Sequence, residues 1–93
     1  MKSHITASFR HSFNQLSKQM QKHAREAYRH FQADPNYPSL RFKKVHSTRP
    51  IYSARVGSGH RAVGVLDGEE IVWFWIGSHK EYERVIGQMP KTS

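Results

Sequence analysis

A chain of 93 residues supports one small domain and not two, because a fold of this size buries only about 60–65% of the surface its unfolded form exposes. The longest apolar run, Ile71 to Ile76, is far short of the ~20 residues a bilayer span requires, which excludes a transmembrane helix. The absence of cysteine excludes disulfides, thiolate metal sites and cysteine nucleophiles, and fifteen Lys plus Arg against seven Asp plus Glu leave a net +8 that points to a polyanionic partner.

The leading residues Met1-Lys2-Ser3-His4-Ile5-Thr6 lack the apolar stretch of a secretory signal, so a cytoplasmic location and no membrane association are expected. Residues 1–6 and 88–93 read as frayed ends around a core of about 8–87. From Phe9 to Phe31 the apolar positions Phe9, Phe13, Leu16, Met20, Tyr28 and Phe31 keep a period near 3.6, with Ala24 and Ala27 filling in. This predicts helix, and Leu16-Ser17 suits a tight turn with Ser17 capping a second helix, giving a hairpin. Asp34-Pro35-Asn36-Tyr37-Pro38 ends it, since each proline removes a donor and biases its predecessor away from αR.

Four strands are expected next: Leu40–Val45, Ile51–Val56, Arg61–Leu66 and Ile71–Ile76, all short and rich in β-branched or aromatic residues. Gly57-Ser58-Gly59 and Asp67-Gly68 are turns of the kind that join antiparallel neighbours, so the last three strands should form a meander. The fourth strand is apolar on both faces, which predicts a central or doubly covered position. Ser78-His79-Lys80-Glu81 fits a capping box, so a short helix begins at His79 and presents Tyr82, Val85 and Ile86, with Gly87 able to end it. The fold class is therefore α+β in a single domain: helical hairpin, four-stranded antiparallel sheet and short C-terminal helix.

The charge is uneven. Residues 1–61 hold twelve basic residues against the two acids Glu26 and Asp34, or +10, whereas residues 62–93 hold three against five, or −2. Arg41, Lys43, Lys44, Arg49, Arg55 and Arg61 lie on the strands or between them. Singly, such residues are most often a solvated face. If the Gly57-Ser58-Gly59 turn sets residue 55 opposite residue 61, however, two guanidiniums share one face, where like charges normally destabilise a strand pair. A bound anion would account for that, while a two-residue loop would send the two side chains to opposite faces.

His79 and Tyr82 are spaced i, i+3 and share a helix face. An imidazole can give or take a proton near neutrality, and a phenol can stack or orient a phosphate. The competing reading is a polar residue beside the cap and a ring packed on the sheet. His4 with His11, and His23 with His30, lack metal-ligand spacing, so no metal is expected. Phe42, Tyr52, Trp73, Phe74 and Trp75 mix with the cations as nucleic-acid sites require, although most must supply core. Phosphate-cradling glycine loops, nucleophile elbows and carboxylate clusters are missing, so a reaction here would proceed without cofactor.

Taken in order, Tyr28-Arg29-His30-Phe31, Asp34-Pro35, Ser39 to Lys44, Tyr52 to Val56, His60 to Gly64 and the closing stretch Trp73 to Arg84 with its Gly-Ser-His-x-x-Tyr resemble the RelE/ParE toxin superfamily of type II toxin–antitoxin systems over residues 8–87. The resemblance implies either of two activities: ribosome-dependent cleavage of messenger RNA, or inhibition of DNA gyrase without a nuclease site. A toxin-like binding module without catalysis is a third reading. By similarity to the nucleases, Arg61 and Arg55 would hold the scissile phosphate, His79 would be the general acid, and Tyr82 would orient or stack the substrate. Lys43 and Lys44, with Arg41 and Arg49, would contact the RNA backbone, and Lys43 or Lys44 could act as base. The carboxylate base of some relatives has no counterpart here, and Glu81 could replace it only by leaving the cap. The expected partners are a cognate antitoxin, acidic where it meets the basic surface, and ribosome-bound messenger RNA, or alternatively gyrase.

Overall fold

Two hydroxyl side chains start the helical layer. In the computed structural model, which describes residues 1–89, Thr6 Oγ1 accepts the Phe9 N–H at 3.0 Å and opens α1 (Ala7–Asn14). Ser17 Oγ accepts the Met20 N–H at 3.1 Å and opens α2 (Lys18–Ala33), as its position in the sequence predicts. Gln21 Nε2 then donates to the carbonyls of Phe13 and Leu16, both at 3.3 Å, tying α2 to the exposed end of α1. Asp34 ends α2 in an extended conformation, and its carboxylate accepts the Asn36 N–H at 2.9 Å.

The first expected strand is much shorter than the sequence suggests. Pro38–Leu40 form a 3₁₀ turn that sinks Leu40 into the core at 1% exposure. Arg41 follows in the left-handed region at φ 45 and ψ 45, so strand geometry begins only at β2 (Lys43–Lys44). Burying Leu40 outweighs the extended preference of its neighbours.

β3 (Ile51–Val56), β4 (His60–Asp67) and β5 (Glu70–Ser78) form the expected antiparallel meander, with β2 on the outer edge of β3. The sheet nevertheless has five strands, not four, in the order β1-β5-β4-β3-β2. The added strand, β1 (Lys2–Ile5), runs parallel to β5 and pairs Ser3 with Ile71 and Ile5 with Trp73. The N-terminal residues are thus not frayed. They close the outer edge of a strand that, being apolar on both faces, would otherwise leave a template for pairing. At the other end, α3 (His79–Gln88) runs through Gly87, and Met89 turns extended, the conformation that the following proline favours. Residues 90–93, also expected to fray, lie outside the described residues.

The helices cover one face of the sheet. Ala54, Val56, Ala62, Ile71, Trp73 and Ile76 meet Ala24, Phe31 and Leu40 there, with the Phe31 ring edge-on to Phe42 at 5.1 Å and to Trp73 at 5.3 Å. A register shift at Val63/Gly64 inserts an extra residue into β5. Gly64 allows Trp73 to lie flat against the backbone: a Cβ there would stand 2.9 Å from Trp73 Cε3 and from the Val72 carbonyl oxygen. Gly64→Ala is therefore expected to cost about 1–3 kcal/mol by overpacking, read as a lower urea midpoint with an unchanged slope.

Candidate functional site

The turn between β3 and β4 decides the site. Gly57, at φ 62, takes a left-handed position that suits glycine, and the three residues Gly57 to Gly59 connect Val56 to His60. The resulting register sets Arg55 opposite Arg61 on one face. This settles the loop-length question in favour of the paired arginines, on the side of the sheet away from α1 and α2.

Neighbouring groups hold the two guanidiniums apart. Arg55 Nε donates to the Gly57 carbonyl at 3.0 Å, which draws that side chain toward the turn. Arg61 Nη1 donates to Ser53 Oγ at 3.4 Å, and its guanidinium lies over the Tyr82 ring at 5.3 Å. Ser53 is fully buried, so its hydroxyl is a fixed post behind Arg61.

α3 arrives through β5. His60 pairs with Ser78, and Arg61 with Gly77, so the start of α3 stands beside the β3–β4 turn. The His79 N–H donates to the Gly59 carbonyl at 2.8 Å. The expected capping box is present: Glu81 N–H donates to Ser78 Oγ at 3.2 Å, while Ser78 N–H and O–H donate to Glu81 Oε1 at 3.2 and 2.9 Å. These bonds, the backbone one first, hold the Glu81 carboxyl below its ordinary value. The His79 ring lies 5.7 Å from the Tyr82 ring, and its Nε2 is 3.1 Å from Glu83 Oε1. Tyr82 thus touches both His79 and Arg61.

Arg41, Arg55, Arg61, His60 and His79, with Ser58 and Gly59 from the turn, line a pocket of about 230 Å³. The arginines and histidines meet there with no acid among the lining residues. His60 is the member that sequence reasoning missed. It borders the pocket from the first position of β4, paired with Val56 across the turn and with Ser78, the residue before His79, on β5.

The other predicted cations are not in the pocket. Lys43 pairs with Ser53 and so shares the pocket's side of the sheet, whereas Lys44 pairs with Tyr52 on the helix side. Arg49 belongs to a turn in which His46 Nδ1 accepts the Thr48 and Arg49 N–H groups at 3.2 and 3.0 Å. Arg41 does line the pocket, presented by its left-handed backbone at the end of the 3₁₀ turn. Among the aromatics, Trp73 and Phe42 are committed to packing, as expected for most of them.

A sheet backed by two helices and closed by a short terminal helix is a fold this chain shares with toxins of known structure. A family model described as the ParE-like toxin domain matches residues 18–84, and the chain belongs to that family, within the RelE/ParE superfamily. A chain of the RelB–RelE antitoxin–toxin complex from Methanococcus jannaschii shares the fold at a TM-score of 0.71 and 16% identity, over 88% of this chain and 96% of that one. The YoeB/ParE toxin from Agrobacterium tumefaciens aligns at 0.67 and 16%, over 85% and 99%. YafQ from E. coli aligns at 0.67 and 9%, over 87% and 96%. No curated protein sequence matches the chain.

The cap has a measurable consequence. A carboxyl held below its ordinary value contributes stability that is present above 4.5 and lost as pH falls through its lowered value. Ser78→Ala is expected to cost about 1 kcal/mol at neutral pH and to flatten the stability–pH curve below 4.5, measured by thermal unfolding across an acid series.

Proposed function

We propose that this protein is the toxin of a type II toxin–antitoxin pair and that it cleaves messenger RNA on the ribosome. The observation that carries the reading is the meeting of Arg41, Arg55 and Arg61 with His60 and His79 in one pocket. RNA cleavage by its own 2′-hydroxyl needs a base for that hydroxyl, positive charge around the phosphorane and an acid for the departing 5′-oxygen. The pocket offers a group for each need. Inhibition of gyrase by surface binding would require no such convergence.

In this reaction His60 takes the 2′-hydroxyl proton as O2′ bonds to phosphorus. Arg61 and Arg55 neutralise the charge gathering on the non-bridging oxygens. The bond from phosphorus to the 5′-oxygen then breaks, and His79 donates its proton to that oxygen. The products are a 2′,3′-cyclic phosphate and a free 5′-hydroxyl, with one proton accepted and one given. Arg41 holds a neighbouring phosphate, and Tyr82 orients His79 and Arg61. His60 takes the base role considered for Lys43 or Lys44, because His60 borders the pocket and neither lysine does.

The partners in this reading are ribosome-bound messenger RNA and an antitoxin that is acidic where it covers the cations. A neutral cover would leave guanidiniums desolvated and unpaired. The M. jannaschii structure is that of a RelB–RelE antitoxin–toxin complex, which supports an antitoxin partner here.

His79→Gln and His60→Gln are each expected to lower cleavage by 10²–10⁴-fold, roughly the usual contribution of general acid–base catalysis. Arg61→Gln should cost on the order of 10²–10³-fold. These effects are read as cut messages in a purified translation system, with the fold checked by circular dichroism. Intact messages combined with gyrase inhibition would replace this reading with the gyrase one.

A further inference from the structure

α2 carries a second cationic surface that the pocket does not use. Lys18, Lys22, Arg25 and Arg29 follow one another at i, i+4, i+7 and i+11, which places them within about 60° of arc along about 16 Å of helix. All four are exposed, and the buried Ala24 and Phe31 lie on the opposite side. The ridge runs along the exposed side of α2, with Arg25 and Arg29 also bordering the apolar space between the helices and the sheet, whereas the histidine–arginine pocket is on the sheet's other face.

Like charges at i, i+4 oppose a helix, and solvated surfaces usually intersperse both signs. Here the ridge has no such relief. Among the described residues none of the four forms an ion pair with a carboxylate, and the ring contact of Arg25, 5.4 Å from Phe13, supplies no negative charge. Glu26, the one acid of α2, is partly buried to one side.

We propose that this ridge binds the phosphate backbone of helical RNA, as a second RNA surface separate from the cleavage pocket. A nucleic-acid duplex carries a charge about every 1.7 Å of its axis, so a ridge of this length faces several phosphates without needing an exact match of spacing. Lysine and arginine on a smooth helix face contact backbone rather than base edges, as sequence-independent recognition of A-form RNA requires. A protein partner is the poorer fit, because the ridge contributes no apolar anchor and protein interfaces are depleted of charge at their centres. Such a partner would find apolar surface beside the ridge, in the space of about 690 Å³ between the helices and the sheet. The inference goes beyond the cleavage reading and stands whether or not the pocket cuts RNA.

The test compares the full-length protein with a variant carrying Lys18→Gln, Lys22→Gln, Arg25→Gln and Arg29→Gln, glutamine being a comparable helix former. Binding to a blunt RNA duplex of about 16 base pairs is measured between roughly 50 and 200 mM salt. The slope of log affinity against log salt is expected to fall by about 3–4, and affinity at the lower salt by on the order of tenfold or more. Binding of a short single-stranded oligonucleotide should stay within about twofold, since the pocket is untouched. Lys22→Gln and Arg29→Gln alone, each lowering the slope by about 1, carry the test if the fourfold variant fails a circular dichroism check. An unchanged slope would overturn the proposal. So would an equal loss for the single strand, or unchanged duplex binding with weakened affinity for the antitoxin, which would give the ridge to a protein. Failure of the cleavage reading would show instead as uncut messages, with duplex binding retained.

Discussion

Two arginines held side by side on adjacent strands are the constraint around which this domain is arranged. Their register leaves no doubt that Arg55 and Arg61 share a face, and strands with like charges directly opposite are disfavoured. The structure does not relieve the repulsion with a carboxylate. It spreads the guanidiniums instead, one toward the Gly57 carbonyl and the other between the Ser53 hydroxyl and the Tyr82 ring. Each of these contacts accepts or faces a cation without neutralising it. The remaining positive potential is thus available to an anion, and its position is set by buried or hydrogen-bonded groups rather than by mobile side chains.

The capping box has a related effect on the opposite wall. Glu81 is the acid closest in sequence to His79 at the start of α3, yet its carboxylate is occupied by Ser78 through the backbone and the hydroxyl. A carboxylate turned inward would instead cancel part of the positive charge of the pocket's wall. Committing Glu81 to the cap fixes the first turn of α3 and keeps a competing anion away from the pocket. Glu83 is likewise engaged, from the next turn, by the His79 ring. Local helix chemistry and the electrostatics of the site are here the same set of bonds.

Much of this was legible in the sequence where local chemistry determined it. Ser17 and Ser78 announce their helices because a capping hydroxyl acts over three residues. The meander follows from glycine turns, whereas the pairing of Arg55 with Arg61 stood between two registers until the three-residue turn decided it. What was missed depended on distant partners. β1 is four residues with little periodicity, and it is a strand only because β5 offers an apolar edge some seventy residues later. Leu40 looks like strand until the core claims it. His60 enters the pocket through the register of β4 on β5, and Lys44 leaves by a one-residue alternation that places it on the helix side. Spacing along the chain finds neighbours within an element, whereas the membership of this pocket was decided between elements.

The same distinction changes the meaning of the +10 carried by residues 1–61. Summed along the chain, it suggests one basic surface. Folded, it divides, because α2 packs on one side of the sheet and the β3–β4 arginines project from the other. Charges separated by a protein layer and by more than a Debye length of ~8 Å do not add at a single phosphate under physiological salt. Each group must therefore be justified by its own surroundings. The pocket cations have fixed orientations and adjacent imidazoles, which suits chemistry at one phosphate. The α2 cations are long, exposed and regularly spaced, which suits many interchangeable phosphates. A single net charge thus resolves into a fixed cluster on one face of the sheet and a periodic ridge on the helix that covers the other.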